Sequence, residues 1–154
     1  MKVEQRIESL GYVLPPPPSA VAVYRPALTV GNQCFTSGHL PITADGGMMT
    51  GRVGQDVDQE QGFLAARQAG LAMLATLRQH LGDLDRVERV VKLLGMVWCP
   101  SDFTAQPAVI NGCSELMKDV FGEDTGVGTR SAVGVASLPM GVSVEIEGIF
   151  LIKP

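Results

Sequence analysis

The sequence predicts one α/β domain, a sheet ordered β-β-α-β-α-β-β along the chain with two helices on one face. Three observations carry this. The stretches 58–81 and 106–121 repeat apolar residues at helical spacing. Between them, Val87 to Trp98 is rich in valine and leucine, the composition of a central strand. Runs suited to strands come in pairs at both ends, around Gly31-Asn32 and around Pro139-Met140-Gly141, and read as hairpins. Two helices shield only one sheet face, so the other needs cover, which a small domain obtains by assembling with copies of itself. With 154 residues, 45% of them hydrophobic, the chain can bury one core.

Each element has a local reason. Val3, Ile7 and Leu10 give a short helix that Gly11 stops. Pro15 to Pro18 form a stiff extended linker, so residues 1–19 read as an extension on a domain spanning 20–154; a proline-rich ligand for another protein is the alternative. Ala20 to Val30 and Gln33 to Ser37 form the first hairpin, with Pro26 confining the first strand to an edge or a bulge. Thr43 to Gly54 is glycine-rich, either a mobile loop near a site or an ordinary turn. The long helix runs from Asp58 to Leu81, with Asp58 and Gln61 in capping-box spacing and Gly82 as its stop. Phe63, Ala66, Gly70, Met73, Leu74, Leu77 and Leu81 form its buried stripe, and its small residues allow close approach to a sheet. The second helix, Gln106 to Phe121, has Pro107 in its first turn and Gly122 after its end. The last strands are Arg130 to Ser137 and Val142 to Ile152.

The charge balance excludes several roles. A net charge of −4 and a pI near 5.1 disfavour binding to nucleic acid or an anionic membrane. No run of 18 apolar residues is present to span a bilayer, and Lys2, Glu4, Arg6 and Glu8 do not resemble a secretion leader. Cys34, Cys99 and Cys113 are odd in number and lack metal-ligand spacing, which fits reduced, buried thiols in cytoplasm, a nucleophile being the alternative. His39 and His80 belong to no metal motif, no lysine-serine pair completes a phosphate loop, and no nucleophile–histidine–acid set is visible.

The candidate site lies near the C-terminus. Along the last strand Val142, Val144, Ile146, Gly148, Phe150 and Ile152 share one face, while Ser143, Glu145, Glu147, Ile149 and Leu151 share the other. Carboxylates beside apolar residues suit either a subunit interface with a wet pocket or a plain surface strand. Arg130 opens the preceding strand, after a loop whose Gly126 and Gly128 permit close backbone approach to a ligand. Its guanidinium is a planar fork for a small carboxylate, or else an ion-pair partner for Glu145 or Glu147. Ser37 beside Gly38 either adds a hydroxyl to the pocket or serves a turn.

Cys34-Phe35-Thr36-Ser37-Gly38-His39-Leu40-Pro41, Val87 to Val97, Asp102-Phe103, Arg130-Ser131-Ala132-Val133, Leu138-Pro139 and Glu145-Ile146-Glu147 together resemble the RidA (YjgF) family. The resemblance runs from about Ala20 to Ile152, and the N-terminal helix, the prolines and Val109 to Leu116 are similar to its longer subgroup. It implies a chorismate-mutase-like fold and a homotrimer with ligand clefts between subunits. It also implies cofactor-free hydrolysis of reactive 2-imino or enamino acids to 2-oxo acids and ammonia. Arg130 would grip the substrate carboxylate, Glu145 would position or activate water, and Ser37 would line the pocket. Ala132 falls where several members carry a pocket cysteine, and Pro107 near the place of a helix-start asparagine. A non-catalytic binder of small carboxylates is the rival expectation. Ribonuclease activity or translation inhibition, also linked to the family, is the weaker one for an acidic chain without an acid–base histidine pair.

Overall fold

The structure, a computed structural model, describes residues 1–154. In chain order the elements are α1 (Val3–Ser9), β1 (Ala27–Val30), β2 (Gln33–Thr36), α2 (Gln59–Leu81), β3 (Val87–Trp98), α3 (Gln106–Phe121), α4 (Glu123–Gly126), β4 (Thr129–Val135) and β5 (Val144–Ile152). Short 3-10 turns occupy Leu84–Arg86 and Pro139–Gly141.

The five strands lie in the order β1-β2-β5-β3-β4, with β3 and β4 parallel and every other pair antiparallel. The last two strands are therefore not a hairpin, because β3 lies between them. The turn that reads as a hairpin loop instead steps over the end of β3: the Trp98 amide donates to the Ser143 carbonyl at 3.0 Å, and Gly141 lies against the Trp98 ring. Sequence order carries no information on such non-local pairing. The first strand is also shorter than its apolar run, because only Ala27 to Val30 pairs and Pro26, just before it, has no amide to donate.

Local chemistry explains the helices. The Asp58 carboxylate accepts from the Gln61 amide and the Gln61 side chain accepts from the Asp58 amide, both at 2.8 Å, so two orphan donors of α2 are satisfied at once. Gly82 ends α2 in the left-handed conformation, φ 82°. The small residues of α2 serve helix–helix contact as well as the sheet. A Cβ on Gly70 would meet the Leu116 side chain at 2.8 Å, and one on Gly112 would lie 2.0 Å from the Phe63 carbonyl oxygen. A Cβ on Gly95 would strike Ile110 at 2.5 Å, so α3 rests directly on β3.

One continuous core joins both helices to one sheet face through Leu74, Leu77, Val90, Val97, Ile110, Met117, Ile146 and Phe150. Ile7 of α1 joins that core, and the Val3 amide donates to Asp85 at 2.9 Å, which pins α1 to the turn before β3. Cys34, Cys99 and Cys113 are all buried and unpaired. The opposite sheet face carries Leu94, Met96 and Trp98 from β3 with Glu145, Glu147, Ile149 and Leu151 from β5, and all are only half-buried. No helix is long and apolar enough to cross a membrane.

Candidate active site

Arg130 is the second residue of β4 and pairs with Leu93, a buried residue on the helix-covered face. Neighbours across a ladder share a face, so Arg130 turns toward α3. There its Nη1 donates to Asn111 Oδ1 at 2.7 Å and to Ser114 Oγ at 3.1 Å. Those two residues are three apart on α3 and therefore adjacent on one face. The guanidinium borders a cavity of about 330 Å³ closed by Gly128, Thr129, Lys118 and Glu123. Lys118 and Glu123 pair at 3.1 Å, leaving Arg130 as the cation of this cavity without a carboxylate partner.

Both ion pairs open to Arg130 in the sequence are absent, since it bonds neither Glu145 nor Glu147. The register gives the reason. Glu145 pairs with Met96 and Glu147 with Leu94, which face away from the helices, whereas Leu93, Gly95 and Val97 face toward them. Cation and acid stand on opposite faces of one sheet. The loop glycines serve more than the cavity. A Cβ on Gly128 would lie 2.4 Å from the Val90 carbonyl oxygen and one on Gly126 2.3 Å from that of Met117, so both are needed for close protein packing as well as lining the cavity.

Ala132 pairs with Gly95, which places it two residues beyond Arg130 on the same face, packed against the core. Cys113, on α3 below Arg130, is fully buried; burial pushes its thiol up to about 12 although the arginine charge pulls the other way. It stays a protonated thiol and cannot serve as a nucleophile near neutral pH.

The loop that carries Ser37 does approach Glu145, through Gly38. A Cβ on Gly38 would lie 2.7 Å from the Glu145 carboxyl carbon, so only a glycine lets this loop lie against that side chain. Burial raises the Glu145 carboxyl above its ordinary value, and the Glu147 charge adds to the rise. The Ser37 hydroxyl donates to the Arg25 carbonyl at 2.5 Å, which leaves its oxygen free to accept. Ser37, Gly38, Tyr24 and Met140 border a small groove.

His39 fastens this half of the site. It is buried, its Nδ1 lies 2.7 Å from the Ser37 carbonyl oxygen, and its Nε2 lies 2.7 Å from Thr76 Oγ1 on α2. A carbonyl only accepts, so Nδ1 carries the proton and Nε2 accepts from the threonine. Burial lowers the His39 pKa, which keeps the ring neutral and this arrangement intact. Its backbone exchanges two hydrogen bonds with Ile146, next to Glu145.

Asn111, Ser114 and His39 are contributors that sequence reasoning did not assign to the site. The available signal was a pair of polar residues three apart, Asn111 and Ser114, flanking the apolar stripe of Val109, Ile110, Cys113 and Leu116 on α3. Pro107 occupies the first turn of α3, and the polar amide that meets Arg130 comes from Asn111 one turn later.

A family model described as "YjgF/chorismate mutase-like, putative endoribonuclease" matches residues 4–144. The chain is 40% identical to protein TCP17 of Trypanosoma cruzi over 148 residues, covering 96% of this chain and 92% of that protein. It is 32% identical over 133 residues to "Putative reactive intermediate deaminase TdcF" of Escherichia coli, covering 86% and 88%. The crystal structure of a protein of unknown function from Agrobacterium tumefaciens superposes with a TM-score of 0.90 at 41% identity, over 98% of this chain and 94% of that one. The sheet with its two covering helices is thus a mixed α/β fold related to the chorismate-mutase-like fold, and the chain belongs to the RidA (YjgF) family.

Proposed function

We propose that the protein hydrolyses small reactive 2-imino and enamino acids to 2-oxo acids and ammonia, without a cofactor, in the cytoplasm. The observation that carries this reading is the Arg130 guanidinium, anchored on Asn111 and Ser114 at a cavity and lacking a carboxylate partner. The relative named a reactive intermediate deaminase supports the same chemistry. A 2-imino acid already contains a polarised C=N bond, and an enamino acid gains one by tautomerising, so the enzyme supplies orientation and a placed water.

In this reading the free edge of Arg130 takes the substrate carboxylate while Asn111 and Ser114 hold the other edge still. Ala132, two residues on along β4, would supply a small side chain on the same face. Glu145 holds the water; it takes one water proton as the oxygen adds to the imine carbon and gives it to the nitrogen, then takes the remaining hydroxyl proton and passes it to the nitrogen as the C–N bond breaks and the C=O bond forms. The products are ammonia and a 2-oxo acid. A carboxyl raised by burial exchanges protons closer to neutrality than an ordinary one, which suits it to both transfers. Ser37 offers its oxygen to the leaving nitrogen.

Arg130 and Glu145 do not meet within one subunit, so the complete cleft joins Arg130 of one copy to Ser37 and Glu145 of the next. A closed homotrimer accomplishes this while covering the half-apolar sheet face. Residues 1–19 then form the extension of a longer subgroup on a domain of residues 20–154, a reading supported by alignment with the Agrobacterium tumefaciens structure over 98% of the chain.

Arg130→Ala is the direct test. Turnover of freshly generated 2-iminobutanoate falls by at least about a hundredfold while the assembly mass stays the same. Unchanged turnover would sink the assignment. A second reading is sequestration of small carboxylates without catalysis. It is favoured by the cavity around Arg130, where the only other charged side chains are Lys118, Glu123 and Glu115. Saturable binding of 2-oxobutanoate with no faster loss of the imine would select it.

A further inference from the structure

We infer that the recess at the far end of β3 and β4 is a second binding site, built on Arg52, for a small monocarboxylate with an apolar body. The recess has a volume of about 450 Å³, within the range of small-molecule sites, and its wall includes Arg52, Cys99, Ser101, Phe103, Gln106 and Val135. Arg130 lies at the start of β4, whereas Gly134 to Ala136 line this recess. Five residues of strand separate the two by roughly 17 Å, so one small ligand cannot fill both.

Arg52 closes the glycine-rich loop and its backbone is locked. The Arg52 amide donates to Asp56 Oδ2 at 2.9 Å, and its carbonyl accepts from the amides of Gln55, Asp56 and Val57 at 3.1, 2.8 and 3.3 Å. The guanidinium is held on one side only, where Nη1 donates to Gln55 Oε1 at 2.9 Å. It has no ion pair, and its Nε is buried without an acceptor. A buried donor left unpaired is costly, more so on a charged group.

Arg86 makes the contrast. Its Nε is also buried and unpaired, but its Nη1 and Nη2 donate to the carbonyls of Leu81 and Lys153. Arg86 is therefore occupied in tying chain segments together. Arg52 instead leaves Nε and Nη2, the pair a carboxylate engages at two points, without an acceptor, and its Nε is screened from solvent, so a guest must settle against the guanidinium to reach it.

The remaining wall selects the guest. The Ser101 hydroxyl has no intramolecular partner, while the Gln106 amide nitrogen is spent on the Phe103 carbonyl at 2.8 Å. Phe103 is fixed by the loop, since a Cβ on Gly54 would touch its ring at 2.7 Å. Pro100, Phe103 and Val135 give apolar walls. One unpaired cation with a single hydroxyl near it, on a wall only partly apolar, matches a small monoanion with a short hydrocarbon body better than a phosphate dianion.

The test is a nitrogen–proton NMR titration of the full chain carrying Arg130→Ala, so that the first cavity does not respond. The probes are 2-oxobutanoate, benzoate and inorganic phosphate. A carboxylate should cause saturable shifts at Ser101 to Gln106 and Gly134 to Ala136 and at the Arg52 Nε–H resonance. Arg52→Gln should weaken its binding at least about tenfold. A response to 2-oxobutanoate alone identifies the 2-oxo acid itself as the guest, and a response to benzoate as well widens the class; both support the site. Three results overturn it: no saturable shift with either carboxylate, phosphate binding as tightly as they do, or a changed assembly mass in Arg52→Gln, which would mean that a carboxylate of a second copy holds the guanidinium. Should Arg52→Gln not fold, the Arg52 Nε–H response in the chain with Arg52 intact decides alone.

Discussion

The two faces of β5 obey different rules. On one, Val144, Ile146 and Phe150 are completely buried under the helices, whose packing leaves no room for a Cβ at Gly95, against the Ile110 side chain, or at Gly112, against the backbone of α2. On the other, Glu145 and Glu147 stand half-buried beside Ile149 and Leu151 with no ion pair. The first face is finished within the subunit. The second leaves carboxylates half-open beside apolar residues, and the proposed assembly would cover it with another surface. Arg130 belongs to the finished face and Glu145 to the unfinished one, so a single subunit carries two separate halves of the proposed cleft.

The strongest way to break this comparison is complementation. Arg130→Ala and Glu145→Gln are each expected to be nearly inactive. Refolded together in equal amounts, they should recover about one quarter of wild-type turnover, because random assembly unites an intact arginine and an intact glutamate in about one cleft in four. No recovery would mean that the two residues do not work across subunits. Next in size is Gly112→Ala, in the helix pair that covers the finished face. Its Cβ would meet a carbonyl oxygen of α2, an obstacle with no flexible end, so unfolding by urea should show a loss of about 3 kcal/mol or more. An equally stable variant would mean that the helix pair is looser than its geometry.

Asn111→Ala sharpens the role of α3. Losing a hydrogen bond to a charged group costs about 1.5–3 kcal/mol, so KM for the imine should rise about tenfold or more with a smaller change in kcat. A fall in kcat alone would place Asn111 in the chemistry instead. The smallest effect concerns stability. The folded state raises the Glu145 pKa, so it binds that proton more tightly than the unfolded chain does. The burden is absent in acid and develops as pH rises from the ordinary carboxylate range through the raised value. Glu145→Gln should therefore melt at a higher temperature than wild type at about pH 7.5 and at nearly the same one at about pH 3. A lower melting temperature at neutral pH would contradict the burial of that carboxyl.

The sequence is most legible where structure is local. Val87 to Trp98 and Gln106 to Phe121 match their elements residue for residue, since long unbroken patterns and glycine stops are properties of neighbours in the chain. The alternation along β5 is equally local, and it assigns Glu145 to the open face. Strand order was illegible because the pairing of β4 with β3 depends on a crossover through α3. The loss of the ion-pair alternative at Arg130 follows directly. With β4 and β5 taken as a hairpin, the nearest partners are the glutamates; with β3 between them, the nearest are Asn111 and Ser114. The sites of Ser37 and His39 depend on the contact between their loop and β5, which is equally non-local.

The three sequestered sulfur atoms give the molecule a means of reporting its own breathing. Cys113 lies between α3 and its neighbours and Cys34 in β2, both wholly screened from solvent, whereas Cys99 borders the Arg52 recess. A thiol reagent can label them only when the surrounding structure opens, so each labelling rate measures the opening of a different region. Cys99 should be labelled first and Cys113 last, resolving partial loosening from complete unfolding without any engineered probe.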